Sequence, residues 1–465
     1  MRTAVVVGAG VAGLATAGSL ARAGWQVTLI ERGERLRSAG GAQILWPNGL
    51  AALAALGLNI GDLAHRAPSG GVRRPDGRVL VEPVRPRAPQ APDEPVRLVQ
   101  PASVYRAAAA DAPGAARAEP MLPPPGLDAL AAGPGLVEPV AEPVRPGFDA
   151  LAAGPDLNAL AAGPVVMHAD DLHDLLMSGL GDRIEIRTGT EVTSLTLGTD
   201  WPAVNTARHT FQADLVVGAD GAESALRRRL APGTRIAPAG YTAWRALVPW
   251  FRVPALAAGV PDAGEMLGAG MRFCHTTLGQ RWAGGEQIRG GIYWWATVPG
   301  ASRPEPVAVQ LSLLRRWFVR WHSPVAELLE ATQASDLIPQ PAVHLAPVPE
   351  LFGMRVGGGG VVLVGDAAHA ITPSLTQGAG LALEDAAVLG EVMRSAVPGG
   401  DLAGRLGEYT RSRRDRVVRV GRAARRLDRV VQAQGRLAVA TRDALLARLT
   451  PRLVDPAVAE PFTLM

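Results

Sequence analysis

A chain of 465 residues, 48% of them hydrophobic, is long enough for two domains or for one large domain with an insertion. All 47 basic residues are arginine, which removes lysine Schiff-base and phosphate-loop chemistry, and the single cysteine, Cys274, removes intramolecular disulfides and multi-cysteine metal sites. The formal charge is only +4, with much of the arginine on one C-terminal helical stretch, and there is no apolar run of about 18 residues; the expectation is a cytoplasmic protein with no membrane span, no metal and no nucleic-acid partner.

Residues 4–7 are short, apolar and β-branched, as in a strand buried on both faces. Gly8, Gly10 and Gly13 follow as G-x-G-x-x-G, then an Ala- and Leu-rich helix over 11–23 stopped by Gly24. A second strand over 26–30 ends at Glu31. In this order the glycines make a tight turn, a close approach for a pyrophosphate and a close helix–strand contact. The N–H groups around Val11 and Ala12 face the phosphates, and Glu31 can accept hydrogen bonds from ribose hydroxyls. The unit implies a dinucleotide without deciding between NAD and FAD.

Beyond Arg32, Gly40 and Gly41 permit close backbone approach to a ligand, with Ala42 beside them. Pro47-Asn48-Gly49 marks a turn before a helix over 50–56, and 73–78 reads as a hairpin turn. Composition changes sharply over 82–164. Prolines crowd in, and an eight-residue unit occurs three times, starting at 127, 148 and 157. The unequal spacing excludes a solenoid, so the stretch reads as a low-complexity insertion without chemistry, or alternatively as a partner-docking arm.

Regular patterning resumes at 165 with a helix over 170–180 and an antiparallel meander of strands at 184–187, 191–197 and 206–211. Residues 214–219 and 361–364 have the character of buried parallel strands. Long aromatic and β-branched strands at 241–250, 265–278 and 288–298, with no helix between them, predict a separate antiparallel sheet. Helices are expected at 307–319 and 325–331, and through most of the C-terminal part.

Two further motifs complete a pattern. One is Asp220-Gly221-Ala-Glu-Ser224-Ala-Leu-Arg227, after Val217-Gly-Ala. The other is Gly365-Asp366-Ala-Ala-His369-Ala-Ile-Thr-Pro373, followed by Gln377-Gly378-Ala379 and Glu384-Asp385-Ala386. With the opening fingerprint they make the chain resemble the class A FAD-dependent aromatic monooxygenases of the para-hydroxybenzoate hydroxylase fold, over about four-fifths of its length, the 82–164 stretch excepted.

The resemblance implies an α/β fold: a Rossmann-like FAD-binding domain in three parts (1–81, 165–235 and 351–400), an antiparallel-sheet substrate domain over 236–350, and C-terminal helices over 401–465. It implies FAD as cofactor, held by Gly8, Gly10, Val11, Ala12, Gly13, Glu31, Arg32, Gly41, Ala42, Asp220, Gly365, Asp366, Pro373, Gln377, Gly378 and Ala379. NAD(P)H would be the reductant, and an aromatic small molecule would be hydroxylated by O2 through a flavin C4a-hydroperoxide. Asp366 would accept hydrogen bonds from the ribityl chain, and the helix starting at Gly378 would point its N–H groups at the flavin. Asp220 would lie near the pyrophosphate, or else cap a helix over 223–230, and His369 would be a packing residue.

Two positions depart from the family pattern. Thr376 stands where glycine is usual, a β-branched residue expected to push the loop off the flavin ring, and Ala169 stands where an arginine commonly reaches the flavin. Weaker likenesses at 41–49, 240–245 and 293–295 are similar to the urate hydroxylase and zeaxanthin epoxidase branch. Arg245, His275 and Tyr293 lie on strands expected to line the substrate chamber and are the candidate catalytic residues. Two alternatives stay open: an alkene epoxidase using the same oxidant, and a non-catalytic FAD-binding assembly protein. A homodimer is compatible with the sequence, which does not specify the oligomeric state.

Overall fold

The computed structural model describes residues 1–83 and 164–453, apart from 38–39, 68–69, 199, 257–259, 280, 284–285, 289 and 397–399. The repeats at 127–164 and nearly all of the predicted insertion lie outside the described residues. Those described belong to one compact unit.

The opening strand, Thr3–Val7, is buried along its length and sits third from one end of a six-stranded sheet. Gln26–Ile30 pairs with it in parallel on one side and Leu215–Gly218 on the other, with Gly359–Leu363 beyond. Strands of this kind, flanked on both sides by neighbours, need apolar residues on both faces, and Val5, Val6, Val216, Val217, Val361 and Val362 supply them. The helix Val11–Arg22 covers one face and packs against the helix Gly378–Arg394. Small residues on both allow a close approach: a methyl at Gly390 would lie 1.9 Å from Ser19 Oγ.

The meander differs from the sequence expectation. Ile184–Arg187 pairs in parallel with Gln26–Ile30 and becomes the edge of the large sheet, while Val192–Thr196, Ala203–Thr206 and Thr210–Gln212 form a small antiparallel sheet. The alternating pattern of 184–187 is that of an edge strand with exposed residues, which sequence periodicity does not separate from a hairpin strand.

The second large sheet has seven strands. Their order is Ile338–Ala346, Arg235–Pro249, Gly291–Pro299, Arg272–Leu278, Ala263–Leu267, Val72–Arg73 and Val79–Val81. The run expected as one strand over 265–278 is a hairpin. Its turn at 268–271 closes with Gly268 N–H donating to Met271 O, and Gly270 takes a positive φ of 69°. Residues 72–81, placed by sequence beside the first unit, form the predicted hairpin but join this sheet through a parallel pairing with Ala263–Leu267.

One face of this sheet carries Trp244, Phe273 and Trp294. It is covered by the helices Val307–Phe318 and Val325–Ala331, making a second apolar core. The other face is turned to the nucleotide-side sheet. Among the described residues no helix is long and apolar enough to cross a membrane.

Candidate active site

The glycine fingerprint makes the tight turn and the close helix contact that its spacing predicts. A methyl at Gly13 would lie 1.7 Å from Gly8 O, so only glycine lets the helix Val11–Arg22 start this close to the turn. At Gly10 a methyl would meet nothing within 4 Å, because that side opens on a cavity. The helix has no side-chain cap and no acidic residue in its first turn, which leaves its first N–H groups and the positive end of its dipole for an anion. Glu31 braces the turn: Oε2 accepts from Ala9 N–H and Oε1 from Gly33 N–H, both at 2.8 Å. Arg32, next in the chain, is exposed.

The Gly-Asp segment is carried to the same place by the strand Gly359–Leu363. Gly365 has φ 57° and ψ −143°, and a methyl there would lie 2.6 Å from the Ala12 side chain. Asp366 opens onto the cavity. Protein crowding on its other sides raises its carboxyl pKa, an effect reduced by His369 and Arg227 nearby and by its own access to solvent.

Arg227 ties two of the motifs together, donating from its buried guanidinium to Ala367 O at 3.1 Å. The helix after Asp220 is shorter than expected, Ala225–Leu230, and Ser224 is its N-cap. Asp220 still serves the helix end: Oδ2 accepts from Ala225 N–H at 2.7 Å and from Leu226 N–H at 3.3 Å. Its neighbours Ala219 and Gly221, not Asp220 itself, line the cavity.

The loop at 373–378 forms the next part of the wall, with Pro373, Ser374, Thr376, Gly378 and Ala379 facing the cavity. The helix Gly378–Arg394 begins here without a side-chain cap, so its leading N–H groups are available to an electron-rich ligand. Gln377 departs from expectation. Its side chain turns into the protein, where Oε1 accepts from Asn48 Nδ2 at 3.0 Å. Thr376 faces the cavity in the left-handed conformation, φ 54° and ψ 25°. Ala169 is buried and donates its N–H to Gly41 O at 3.0 Å, fixing the backbone beside Ala42.

Behind the loop lies a buried charge network that sequence reasoning missed. Arg413 contacts Asp385 Oδ1 at 2.7 Å and Glu384 Oε2 at 2.6 Å; Arg416 contacts Glu384 Oε2 at 2.6 Å; His369 Nε2 lies 2.6 Å from Asp385 Oδ2. Asp385 Oδ2 also accepts Gly365 N–H at 2.8 Å. Burial alone would raise the Asp385 pKa, but His369 and Arg413 outweigh it and hold it at about 2. His369 is thus a packed residue, as expected, with a specific partner. The sequence signal was a Glu-Asp pair inside an otherwise apolar helix, facing an arginine-rich one.

The cavity's far wall is the second sheet. Alternation along the strands turns Ala243 and Arg245, then Tyr293, Trp295 and Thr297, then Arg272, to the same space as Gly10 and Asp366. Tyr293 and Trp295 lie 5.7 Å apart at 34°. The Tyr293 hydroxyl is hydrogen-bonded to Arg245; burial raises its pKa and Arg245 partly offsets this. Arg272 contacts Glu265 at 2.8 Å and lies 6.0 Å from the Trp295 ring centroid.

His275 does not join this group. Its strand position has the opposite parity, and it lines a separate pocket with Pro261, Nε2 lying 3.1 Å from the Pro261 carbonyl. The shared cavity holds about 340 Å³. Among the described residues no cluster of side chains could hold a metal.

A dinucleotide cradle, a carboxylate beside its helix, an uncapped second helix and an aromatic chamber on one cavity define an FAD-dependent monooxygenase of the aromatic-hydroxylase class. The chain belongs to the family described as FAD binding domain, whose model matches residues 1–267 and 343–424. It is 29% identical over 303 residues to an aurachin C monooxygenase/isomerase of Stigmatella aurantiaca, covering 64% of this chain and 72% of that one. It is 33% identical over 230 residues to the 2-heptyl-3-hydroxy-4(1H)-quinolone synthase of Pseudomonas aeruginosa, covering 49% and 55%. The fold matches that of Klebsiella pneumoniae HpxO, solved with FAD and uric acid, with a TM-score of 0.69 at 21% identity, covering 100% of this chain and 97% of that one. NAD(P)H is the reductant typical of such enzymes.

Proposed function

We propose that this enzyme hydroxylates a planar, polar aromatic or heteroaromatic compound bearing a hydroxyl or oxo group on its ring, at a carbon presented between the Tyr293–Trp295 wall and the loop at 373–378. The observation that carries this reading is the single cavity lined by Gly10, Asp366 and Gly378 on one side and by Arg245, Tyr293 and Trp295 on the other. One relative is named as a quinolone synthase and HpxO was solved with uric acid, both compounds of this chemical kind.

The residues fit FAD. The helix at Val11 would take the pyrophosphate, Asp366 the ribityl hydroxyls, and the N–H groups at Gly378 and Ala379 the electron-rich edge of the flavin ring. When bound and reduced by NAD(P)H, FAD supplies the activation of O2 and the transfer of one oxygen atom. The chain does the rest. Arg245 stabilises negative charge on a hydroxyl-derived oxygen attached to the substrate ring, which makes the ring carbon more nucleophilic. Tyr293 and Trp295 fix the ring plane, and the second core behind the sheet keeps that wall rigid and dry. We place the enzyme in the cytoplasm.

The test is NAD(P)H oxidation by the FAD-loaded protein across a panel of hydroxylated quinolines, purines and benzoates. One or more should accelerate it and yield a product heavier by one oxygen atom. Acceleration only by non-aromatic alkenes, with epoxide products, would overturn the reading.

A further inference from the structure

Thr376 is the only non-glycine residue with a positive φ among the described residues, and it lies at the centre of the loop before the helix Gly378–Arg394. A β-branched side chain rarely adopts this conformation, so something outside the loop must hold it. Its neighbours are held by other parts of the chain. The Ser374 hydroxyl donates to Asp428 Oδ1, as does the Tyr241 hydroxyl, and Asn48 Nδ2 donates to Gln377 Oε1 at 3.0 Å.

At Thr376 the holder is Trp46. Its indole Nε1–H donates to Thr376 Oγ1 at 2.9 Å, while the same hydroxyl donates to Leu375 O at 2.7 Å. Trp46 is the N-cap of the helix Pro47–Ala55, whose Asn48 also bonds Glu384 Oε1 at 2.6 Å. The indole is therefore fixed from behind. It reaches across 330 residues of sequence to the one point of the loop where the backbone would otherwise relax to negative φ.

We propose that Trp46 and Thr376 are a positioning pair, a latch that keeps the loop in its left-handed form. The latch thereby sets the place of the Gly378 and Ala379 N–H groups that receive the flavin ring. Glycine at 376 would adopt the same φ without help. Here threonine replaces that freedom with a conformation that depends on an acceptor oxygen and a distant donor. The inference rests on FAD binding in this cavity and adds which residues fix its ring.

The test is a double-mutant cycle read by FAD titration of the apoprotein and by the fluorescence anisotropy of bound flavin. Trp46→Phe is expected to weaken FAD binding about tenfold and lower the anisotropy. Thr376→Gly alone should change affinity no more than about threefold, and Trp46→Phe added to Thr376→Gly should have almost no further effect. Thr376→Val, which keeps the shape and loses the acceptor, should resemble Trp46→Phe, and Thr376→Ser should restore wild-type binding. The valine and serine variants decide the matter even if Trp46→Phe fails to fold.

An equal loss from Trp46→Phe in both backgrounds would mean that the indole acts by packing alone, and would overturn the latch. So would a Thr376→Val protein that binds FAD like the wild type. A wild-type apoprotein that takes up no FAD would instead overturn the flavin site itself.

Discussion

Gly365 and Ala12 touch. The α-carbon of the glycine faces the alanine methyl so closely that a Cβ would lie 2.6 Å from it, although 353 positions separate them in the chain. This contact joins the segment that would hold the ribityl chain to the helix that would hold the pyrophosphate. Gly365→Ala should therefore do two kinds of damage, combining a clash with a positive φ of 57°. We expect a loss of about 1–3 kcal/mol in stability, together with lost FAD retention, both visible in thermal melts and in the flavin absorbance of the purified protein.

Two glycines of the fingerprint should respond differently. Gly13→Ala would drive a methyl to 1.7 Å from Gly8 O and should lower stability by about 1–3 kcal/mol even without cofactor. Gly10→Ala meets open space and has an ordinary φ of −74°, so its apoprotein should melt within about 0.5 kcal/mol of wild type. Its FAD affinity should nevertheless fall by about tenfold or more, because the methyl occupies the phosphate approach.

The chamber wall gives a contrast between residues of similar sequence appearance. Arg245→Gln should cost roughly 1.5–3 kcal/mol of transition-state stabilisation, seen as a 10- to 100-fold fall in kcat/KM with FAD content unchanged. His275→Gln, on the other face of the sheet, should leave kcat/KM within a factor of about two.

The buried charges predict a direction in pH. The folded-state pKa values of Asp385, at about 2, and of Glu384 lie below their usual values of 3.8 and 4.5. Their ionisation therefore contributes stability that is fully present above those usual values. It is lost as pH falls through the folded ones, from about pH 5 downward. The melting temperature should fall through that window, and Asp385→Asn should flatten the slope while lowering stability throughout. Arg413→Met would remove the guanidinium shared by both carboxylates while leaving Arg416 on Glu384 and His369 on Asp385, at a cost of about 3 kcal/mol or less.

What the sequence showed depended on range. The strand–turn–helix unit at Gly8–Gly13 is local, and its spacing alone predicted the tight turn at Gly8 and the close contact at Gly13. Asp366 was legible as a residue at the cavity because it follows a buried parallel strand, as Asp220 also does, whereas Asp220 turns its carboxylate to a helix end. His275 was misplaced because facing depends on strand parity. The run at 265–278 hides a turn at 268–271, and only the pairing of Cys274 with Trp295 and of His275 with Trp294 shows which residues share a face. Arg272, which does line the chamber, was missed for the same reason. Thr376 was singled out from the sequence, but the side chain that bonds it, Trp46, lies on another element, and nothing local to either residue announces the other.

The central claim is that FAD lies extended from the opening helix, past Asp366, to the loop at 373–378. A crystal structure of the FAD complex tests it most directly. The account predicts the pyrophosphate at the Gly10–Ala12 N–H groups, the ribityl hydroxyls at Asp366 and the flavin ring between Gly378 and the Tyr293–Trp295 wall. A flavin whose ring lies away from that wall, or a dinucleotide in the reverse direction, would contradict it.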